Sequence, residues 1–598
     1  MKRDTLAHMI ALMLTVLLLS CQMSTAQESS RSSAPGQTGD MLRLEPGKPL
    51  EGKLKGGETQ RYQVELESAQ FLSVVVDQRG VDVVVRVFAP NGEKLAEVDS
   101  PNGTEGSEPV AFEAKQTGFY RLEVSAPDAA AAEGRYEIKI VELLTAAQYK
   151  VRQAEERAQR EAVVKWLKES AIPLRSVTAG SGFADLQPLK HILKDVRVVG
   201  LGEATHGARE FFQFKHRMLE FLVREMGFRV FAIEASYAAC FNINEYVMGR
   251  TDDGAKALDS QGFWTWNTAE VRAMLDWMRA YNKSVPAERR VKFVGFDIQG
   301  NERGREVVLA YLRKVAPERV AAYEALPKPV RADGKDIEIS LEALTRAVSG
   351  GPKEGKEAAV AKLNEIRNRY DELLGFMLLN ETKFTRQTSA TEFADALQHA
   401  RVIAQYLDAY GTPPKSQRDF YMAENIERLV KEEPAGTRFV IWAHNGHIST
   451  GDNDGVMFQN MGWFLRKAFG DAYYALGFSF NQGMFQARNG DPQARVRMAL
   501  TAFKVGAAPE GSVDWYLAQT GIKNFIVDLR PARKNKVAAE WLNAPRPMRD
   551  VGSVYSTSSE AEFYVTPKLG QEFDGLVFFD TTTRAQPNPS VANVAMGQ

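Results

Sequence analysis

Cysteine is scarce in this sequence, since Cys21 and Cys240 are the only two among 598 residues. Net charge is also nearly absent, because 75 Lys and Arg residues offset 76 Asp and Glu residues. A chain this close to neutrality has no long-range field that would recruit nucleic acid. No serine stands in a Gly-x-Ser-x-Gly frame, which argues against a serine-nucleophile esterase. The composition favours a globular protein whose partner is a small molecule or a neutral polymer.

The N-terminal residues have the pattern of an export signal, with a basic start and an apolar run at residues 9–19 that is too short for a permanent membrane span. The run closes as Leu-Leu-Ser-Cys, which resembles the bacterial lipoprotein box. The resemblance implies that residues 1–21 are a signal peptide and that lipid on Cys21 anchors the protein in the cell envelope, facing the periplasm or the cell surface. Residues 22–41 have the composition of a flexible tether. Cys240 would then be the remaining thiol, and we expect it to be a packing residue.

Residues 42–143 alternate apolar and polar side chains in short runs separated by turn signals, which predicts a small all-β sandwich. Gly-Phe-Tyr at 118–120, before a strand at 122–125, resembles the bacterial pre-peptidase C-terminal module. We expect an accessory role, as a spacer or as a unit that binds carbohydrate or protein. A charged stretch at 144–172 predicts a linker helix.

Residues 173–585 alternate apolar strands with amphipathic helices, which predicts an α/β fold. The strands are rich in β-branched and aromatic residues, as in a mainly parallel sheet covered on both faces, so we expect a three-layer α/β/α domain. The strand signal disappears at about 300–417, where a helical insertion is predicted. This helical lobe would form a wall or lid of a cleft, or a packing or oligomer surface. Residues 586–598 form a tail.

Ionisable side chains interrupt the predicted strands at one end. They are Glu203 and His206 after VRVVGLG, Glu234 after FRVFAI, Asp297 after VKFVGF, and His444 and His447 after RFVIWA. Ligands bind outside the carboxyl ends of the strands in an open parallel sheet, so these distant residues are predicted to converge. Individually each has an ordinary explanation as a buried imidazole, a cap or a salt bridge. Jointly they predict a shared catalytic site.

The first cluster places Glu203 three residues before His206, in a turn bounded by glycines. A carboxylate bonded to an imidazole fixes its tautomer and raises the basicity of the other ring nitrogen, which suits a general base for water. Glu234 could orient His206 or be the base itself. His444 and His447, beside two glutamates, also suit a mononuclear Zn or Mn site. A metal-free site, with one histidine as base and another as electrophile or orienting group, uses the same residues.

Five segments together resemble the erythromycin esterase family: VVGLGEATHG, FRVFAIEAS, VKFVGFDIQ, RDFYMAENI and IWAHNGH, between about residues 189 and 580. The resemblance implies a hydrolase without a cofactor that opens an ester or lactone, with a macrolide as one candidate, using activated water and no covalent acyl-enzyme. It implies that His206 is the general base, that Glu203, Glu234 and His444 support it, and that His447 contributes as well.

Three further residues are candidates for substrate binding. Trp264 and Trp266 would form an apolar wall or simply pack in the core, and Arg418 in RDFYMAENI would line the cleft or form a surface salt bridge. Glu-x-x-His with a second histidine also resembles the Tiki and TraB metalloproteases and the haem-binding lipoproteins of the ChaN type, which would need a metal or haem. A noncatalytic surface binding protein is a further alternative.

Overall fold

The computed structural model describes residues 41–100, 102–300, 302–324, 353–410, 417–452, 459–494 and 496–590. The predicted signal peptide with its lipidated Cys21, nearly all of the predicted tether, and the tail beyond residue 590 lie outside the described residues. The chain divides into two compact units after Glu156. Within the described part, no helix is both long and apolar enough to cross a membrane.

The first unit is a β-sandwich. Its strands are β1 Leu42–Arg43, β2 Leu50–Leu54, β3 Thr59–Leu66, β4 Phe71–Arg79, β5 Val84–Phe88, β6 Lys94–Val98, β7 Glu105–Glu113, β8 Gly118–Ser125 and β9 Gly134–Leu144. One sheet has the order β1-β3-β8-β5-β6 and the other β2-β9-β4-β7. Buried and less buried residues alternate along β4, so one face of that strand lies in the core. Tyr62 and Tyr136 from opposite sheets join by their hydroxyls at 2.8 Å inside that core.

The second unit contains a mixed sheet. Its strands are β10 Ile172–Pro173, β11 Val198–Leu201, β12 Val230–Ser236, β13 Lys292–Asp297, β14 Phe439–Trp442, β15 Tyr473–Asn489, β16 Leu500–Val505, β17 Asn524–Asp528, β18 Met548–Arg549, β19 Val554–Tyr555, β20 Tyr564–Val565 and β21 Gly575–Thr582. The main order is β10-β17-β21-β15-β11-β14-β12-β13, with β16 and β19 beside β15, while β18 pairs with β20. From β21 to β13 every neighbouring pair is parallel, whereas β17 and β10 run antiparallel at the other edge.

Helices connect these strands. They are α1 Ala146–Ser170, α2 Leu189–Ile192, α3 Arg209–Met226, α4 Phe241–Val247, α5 Gly254–Asp259, α6 Ala269–Ser284, α7 Glu302–Val315, α8 Pro317–Glu324, α9 Lys353–Leu379, α10 Glu381–Gln387, α11 Ala390–Ala409, α12 Arg418–Glu432, α13 Asn445–Ile448, α14 Met461–Phe469, α15 Val513–Ala518, α16 Lys536–Asn543 and α17 Leu569–Glu572. Local signals set their ends: α3 stops at Gly227, whose φ is 75°, and the Thr268 side chain caps α6.

The sheet has a hydrophobic core on each face, because successive side chains of its strands point to opposite sides. Val199 of β11 packs on one face with residues of α3 and α6. Val198 packs on the other face with residues of α1, α12 and α14. The prediction of a three-layer α/β/α domain with a mainly parallel sheet, preceded by a β-sandwich, is therefore confirmed.

The described part of the insertion is helical. Helices α7 to α11 have a core of their own, with Leu312, Leu373 and Ala400 fully buried. Residues 325–352 and 411–416 of the predicted lobe lie outside the described residues. Cys240 is buried, and burial and nearby Asp297 raise the pKa of its thiol, so this cysteine packs in the core.

Candidate active site

The order of the strands brings the predicted residues together. β14 lies between β11 and β12, so the segments that follow these strands are neighbours although hundreds of residues separate them in the chain. Close backbone approach also explains a glycine in the first cluster. A Cβ on Gly207 would lie 2.0 Å from the carbonyl oxygen of Gln486 on β15.

Glu203 is the anchor of the first cluster and is fully buried. Its Oε1 lies 2.5 Å from Nδ1 of His206. Its Oε2 accepts a hydrogen bond from Nζ of Lys215 at 2.6 Å and another from Nε1 of Trp442 at 2.8 Å. Glu203 therefore orients His206, because Glu203 and not Glu234 contacts its ring.

Lys215 was missed by the sequence reasoning. It lies on α3, is fully buried, and its Nζ is 4.2 Å from the ring centroid of Trp442. Burial lowers the pKa of Lys215 to about 8, against the attraction of Glu203. Burial acts to raise the pKa of Glu203, but Lys215 and His206 outweigh it and hold that pKa below its ordinary value. The sequence did contain one indication that Lys215 belongs to the site. This lysine stands among the phenylalanines of an apolar helix face, where an unpaired charge is costly.

Arg418 is the centre of a second cluster. Its Nε and Nη2 donate to the two oxygens of Asp297 at 2.9 and 2.7 Å, a bidentate pair. Nη2 also donates to Oε1 of Glu234 at 2.7 Å. Burial acts to raise the pKa of Glu234, but the charges of His447 and Arg418 hold it well below its ordinary value. Arg418, predicted to contact substrate, is engaged with these two carboxylates.

His447 connects this cluster to α12. Its Nδ1 lies 2.7 Å from Oδ1 of Asp419, and its Nε2 lies 3.3 Å from Oε1 of Glu234. Burial acts to lower the pKa of His447, but the two carboxylates raise it to about 10. The two carboxylates therefore favour the protonated ring, and Nδ1 donates to Asp419. Nη1 of Arg418 lies 3.0 Å from the same Nε2.

His444 lies between the two clusters, with its ring centroid 4.9 Å from that of His206. Its backbone N–H donates to Oε2 of Glu234 at 2.9 Å. Burial lowers the pKa of the ring, so His444 is neutral. Its Nε2 lies 3.2 Å from the carbonyl oxygen of Val551 and 3.4 Å from Oδ1 of Asp550, and its Nδ1 accepts from the backbone N–H of Gly446. The single ring proton is therefore on Nε2.

The two tryptophans differ in position. Trp266 is buried, donates from Nε1 to the backbone oxygen of Glu234 at 2.9 Å, and packs edge-on with its centroid 5.5 Å from that of His206. Trp266 therefore supports His206 and the backbone of Glu234 as a packing residue. Trp264 is half-buried on the same loop, and among the described residues its side chain has no hydrogen bond or ring contact with the histidines of the site.

Among the described residues, no group of three or more His, Cys, Asp or Glu side chains is arranged to hold a metal ion. The carboxylates that would be ligands are paired with Lys215, Arg418 and His447 instead. Besides Lys215, the partners Trp442, Asp419 and Asp550 were not among the predicted site residues, because their contacts depend on tertiary packing.

A parallel α/β sheet with an oriented imidazole and buried ionic partners outside its carboxyl edge defines an α/β enzyme equipped for acid–base chemistry. A sequence model described as erythromycin esterase matches residues 223–582, which is more than half of the chain. The chain belongs to the erythromycin esterase family, as its motifs indicated. Membership in this family supports a hydrolase of the erythromycin esterase type.

Similarities to individual proteins agree with this family assignment. The chain is 24% identical over 429 residues to erythromycin esterase type II of Escherichia coli, covering 69% of this chain and 96% of the relative. It is 22% identical over 451 residues to a putative hydrolase of Bacillus subtilis, covering 70% and 90%. A Bacillus cereus crystal structure is 25% identical with a TM-score of 0.59, covering 72% and 99%. A mutant erythromycin esterase in its open conformation is 16% identical with a TM-score of 0.51, covering 68% and 96%, a likeness of fold alone.

Proposed function

We propose that this protein hydrolyses a carboxylic ester or lactone, with His206 as the general base that activates water. The observation that carries the proposal is the 2.5 Å contact between Nδ1 of His206 and Oε1 of the buried, ionised Glu203. An ionised carboxylate keeps the proton on Nδ1, so the lone pair of Nε2 is left to accept a proton from water.

The attack of water would place negative charge on the carbonyl oxygen, and a donor must stabilise it. We assign this role to His444, a neutral ring beside His206 with its proton on Nε2. The carbonyl oxygen of Val551 accepts that proton at 3.2 Å, so the substrate oxygen would replace it as acceptor. Glu234 would hold the His444 backbone in place, and Arg418 with His447 would hold Glu234. The water attacks directly, without a covalent acyl-enzyme, and His206 returns its proton to the leaving alkoxide.

The substrate within this class is open to experiment, and erythromycin is the first lactone to test. Hydrolysis of erythromycin and of simple lactones would be followed for the purified protein and for the His206→Ala variant, each with and without chelator. His191 is exposed, so His191→Ala is the matched control. We expect a loss of two to four powers of ten in kcat for His206→Ala, full activity for His191→Ala, and no effect of chelator. Ester hydrolysis that persists in His206→Ala would contradict the assigned base.

We also propose that the enzyme acts at the cell envelope, held there by lipid on Cys21. The proposal is supported by the signal pattern before that cysteine. Replacement of Cys21 by serine should move the protein from the membrane fraction to the soluble fraction. An unchanged distribution would contradict lipid anchoring.

A further inference from the structure

A cavity of about 260 Å³ opens beside the assigned oxyanion donor. Asn445 and Gly446, which follow His444 in the chain, are among the residues that line it, and so is Asp550. Asp550 lies 3.4 Å from Nε2 of His444. Pockets that hold a whole drug-sized ligand are typically about 300–1,000 Å³. This cavity is therefore suited to one substituent of a substrate whose ester bond lies at His206.

The lining of this cavity combines apolar walls with acid. Met548, Val565 and Phe573 supply hydrocarbon surface, while Asp550 and Glu572 supply two carboxylates. Lysine, arginine and histidine are absent from the described residues that line it. An apolar pocket with carboxylates and no fixed cation matches an alkylated ammonium group, which needs both hydrocarbon contact and a counter-charge.

The two carboxyl groups differ in what they contact. Glu572 accepts a hydrogen bond from Oγ of Ser449. Oδ1 of Asp550 is buried and has no hydrogen bond in the described structure beyond its 3.4 Å approach to His444. Burial raises the pKa of both carboxyl groups. A cation in the cavity would offset that cost of burial.

The charges around the site also favour a cationic ligand. Lys215 offsets Glu203. The second cluster holds two cations and three carboxylates, namely Arg418, His447, Glu234, Asp297 and Asp419. Asp550 and Glu572 add to this excess of acid. A cleft with a net negative field concentrates positively charged ligands.

We infer that this cavity is the subsite for a cationic, ammonium-bearing substituent of the substrate, bound between the carboxylates of Asp550 and Glu572. The inference rests on the proposed ester hydrolysis, because it names the class of ester that the same site prefers. It requires no new chemical step. The ammonium group stays unreacted while water attacks the carbonyl carbon beside His206.

The test compares nitrophenyl esters whose acyl chains end in trimethylammonium with neutral isosteres that end in tert-butyl, over a series of chain lengths. We expect kcat/KM for the cationic ester to exceed that of its isostere by about tenfold or more at the best length. Val565 is 45% exposed, so Val565→Lys places a positive charge at the cavity without disturbing the core. This variant should abolish the preference. Val496, 54% exposed and outside the cavity lining, is the matched control as Val496→Lys and should retain it.

A second pair of variants removes charge instead of adding it. Glu572→Gln should lower the cationic preference by about tenfold, and Glu562→Gln, at an exposed position, should leave it intact. A preference near one in the unmodified protein, or one that Val565→Lys does not change, would overturn the subsite.

Binding separates this inference from the proposed function. Amide analogues of the same cationic and neutral pair would be titrated calorimetrically into the unmodified protein and into Val565→Lys. If no ester is hydrolysed but the cationic amide binds more tightly than the neutral one, the proposed function is wrong and the subsite stands. If both amides bind equally, the subsite is wrong whatever the enzyme hydrolyses.

Discussion

Replacing Lys215 with methionine should damage both stability and the acid limb of the pH–rate profile. Nζ of Lys215 is fully buried 2.6 Å from Oε2 of Glu203. Methionine fills most of the same volume but leaves the Glu203 charge buried with only its His206 and Trp442 partners. Breaking a buried ion pair on one side costs about 3–5 kcal/mol. The free energy of unfolding, measured by urea denaturation, should fall by that amount.

Lys215→Met should also shift the pH dependence of catalysis in one direction. Without the attraction of Lys215, the pKa of Glu203 rises, so this carboxyl takes up a proton at a higher pH and stops fixing the proton on Nδ1 of His206. The acid limb of kcat/KM should therefore move to higher pH. Lys190→Met is the control, because Lys190 pairs with Glu225 at 2.6 Å on the surface, where its side chain is 42% exposed, and such pairs contribute at most about 1 kcal/mol.

A double variant tests whether the unpaired charge of Glu203 causes the loss of stability. Lys215→Met combined with Glu203→Gln removes both charges, so it should recover much of the stability while the activity stays low. A loss below about 1 kcal/mol for Lys215→Met, with an unchanged acid limb, would refute the view that Lys215 keeps Glu203 ionised.

Three further predictions concern buried charge. Burial raises the pKa of Asp514 to about 6, so the contribution of this residue to the free energy of unfolding is greatest below pH 4 and falls by about 3 kcal/mol as the pH rises through 6. Asp514→Asn should remove that fall in urea denaturation between pH 4 and 7. Burial lowers the pKa of His399 to about 4, so its contribution to the free energy of unfolding is present above pH 6.5 and lost as the pH falls toward 4. His399→Phe should therefore make acid unfolding, followed by tryptophan fluorescence, less steep in pH. An unchanged slope would contradict the view that buried, neutral His399 contributes to acid unfolding. Arg418→Lys should lower kcat/KM by more than tenfold, because one ammonium cannot reproduce the fork that joins Asp297 to Glu234; near-normal kinetics would refute the need for the fork.

The fold class was predictable because hydrophobic runs such as VRVVGLG and RFVIWA become strands β11 and β14, buried on both faces. Convergence of Glu203, His206, Glu234, His444 and His447 followed from the parallel topology. The strand directions at the far edge were not predictable, because the antiparallel β17 has a run of buried residues like those of the parallel strands β11 and β14.

The partners of the site residues were less accessible to sequence reasoning. Glu203 follows β11 and Glu234 lies within β12 near its end, and the sequence left open which of them orients His206. The choice depends on the turn after β11, which carries Glu203 to the ring, and on Arg418, which α12 brings to Glu234 from a distance of 184 residues. Such contacts follow from packing and leave no local pattern.

The position of β21 has a consequence for the order in which the chain is synthesised. This strand, Gly575–Thr582, lies between β15 and β17 although it follows both of them in the sequence. A growing chain therefore holds β15 and β17 as two open edges until β21 has left the ribosome. Open edges of apolar strands invite wrong pairing. Loss of β21 would thus be far more harmful than its distance from His206 in the sequence suggests.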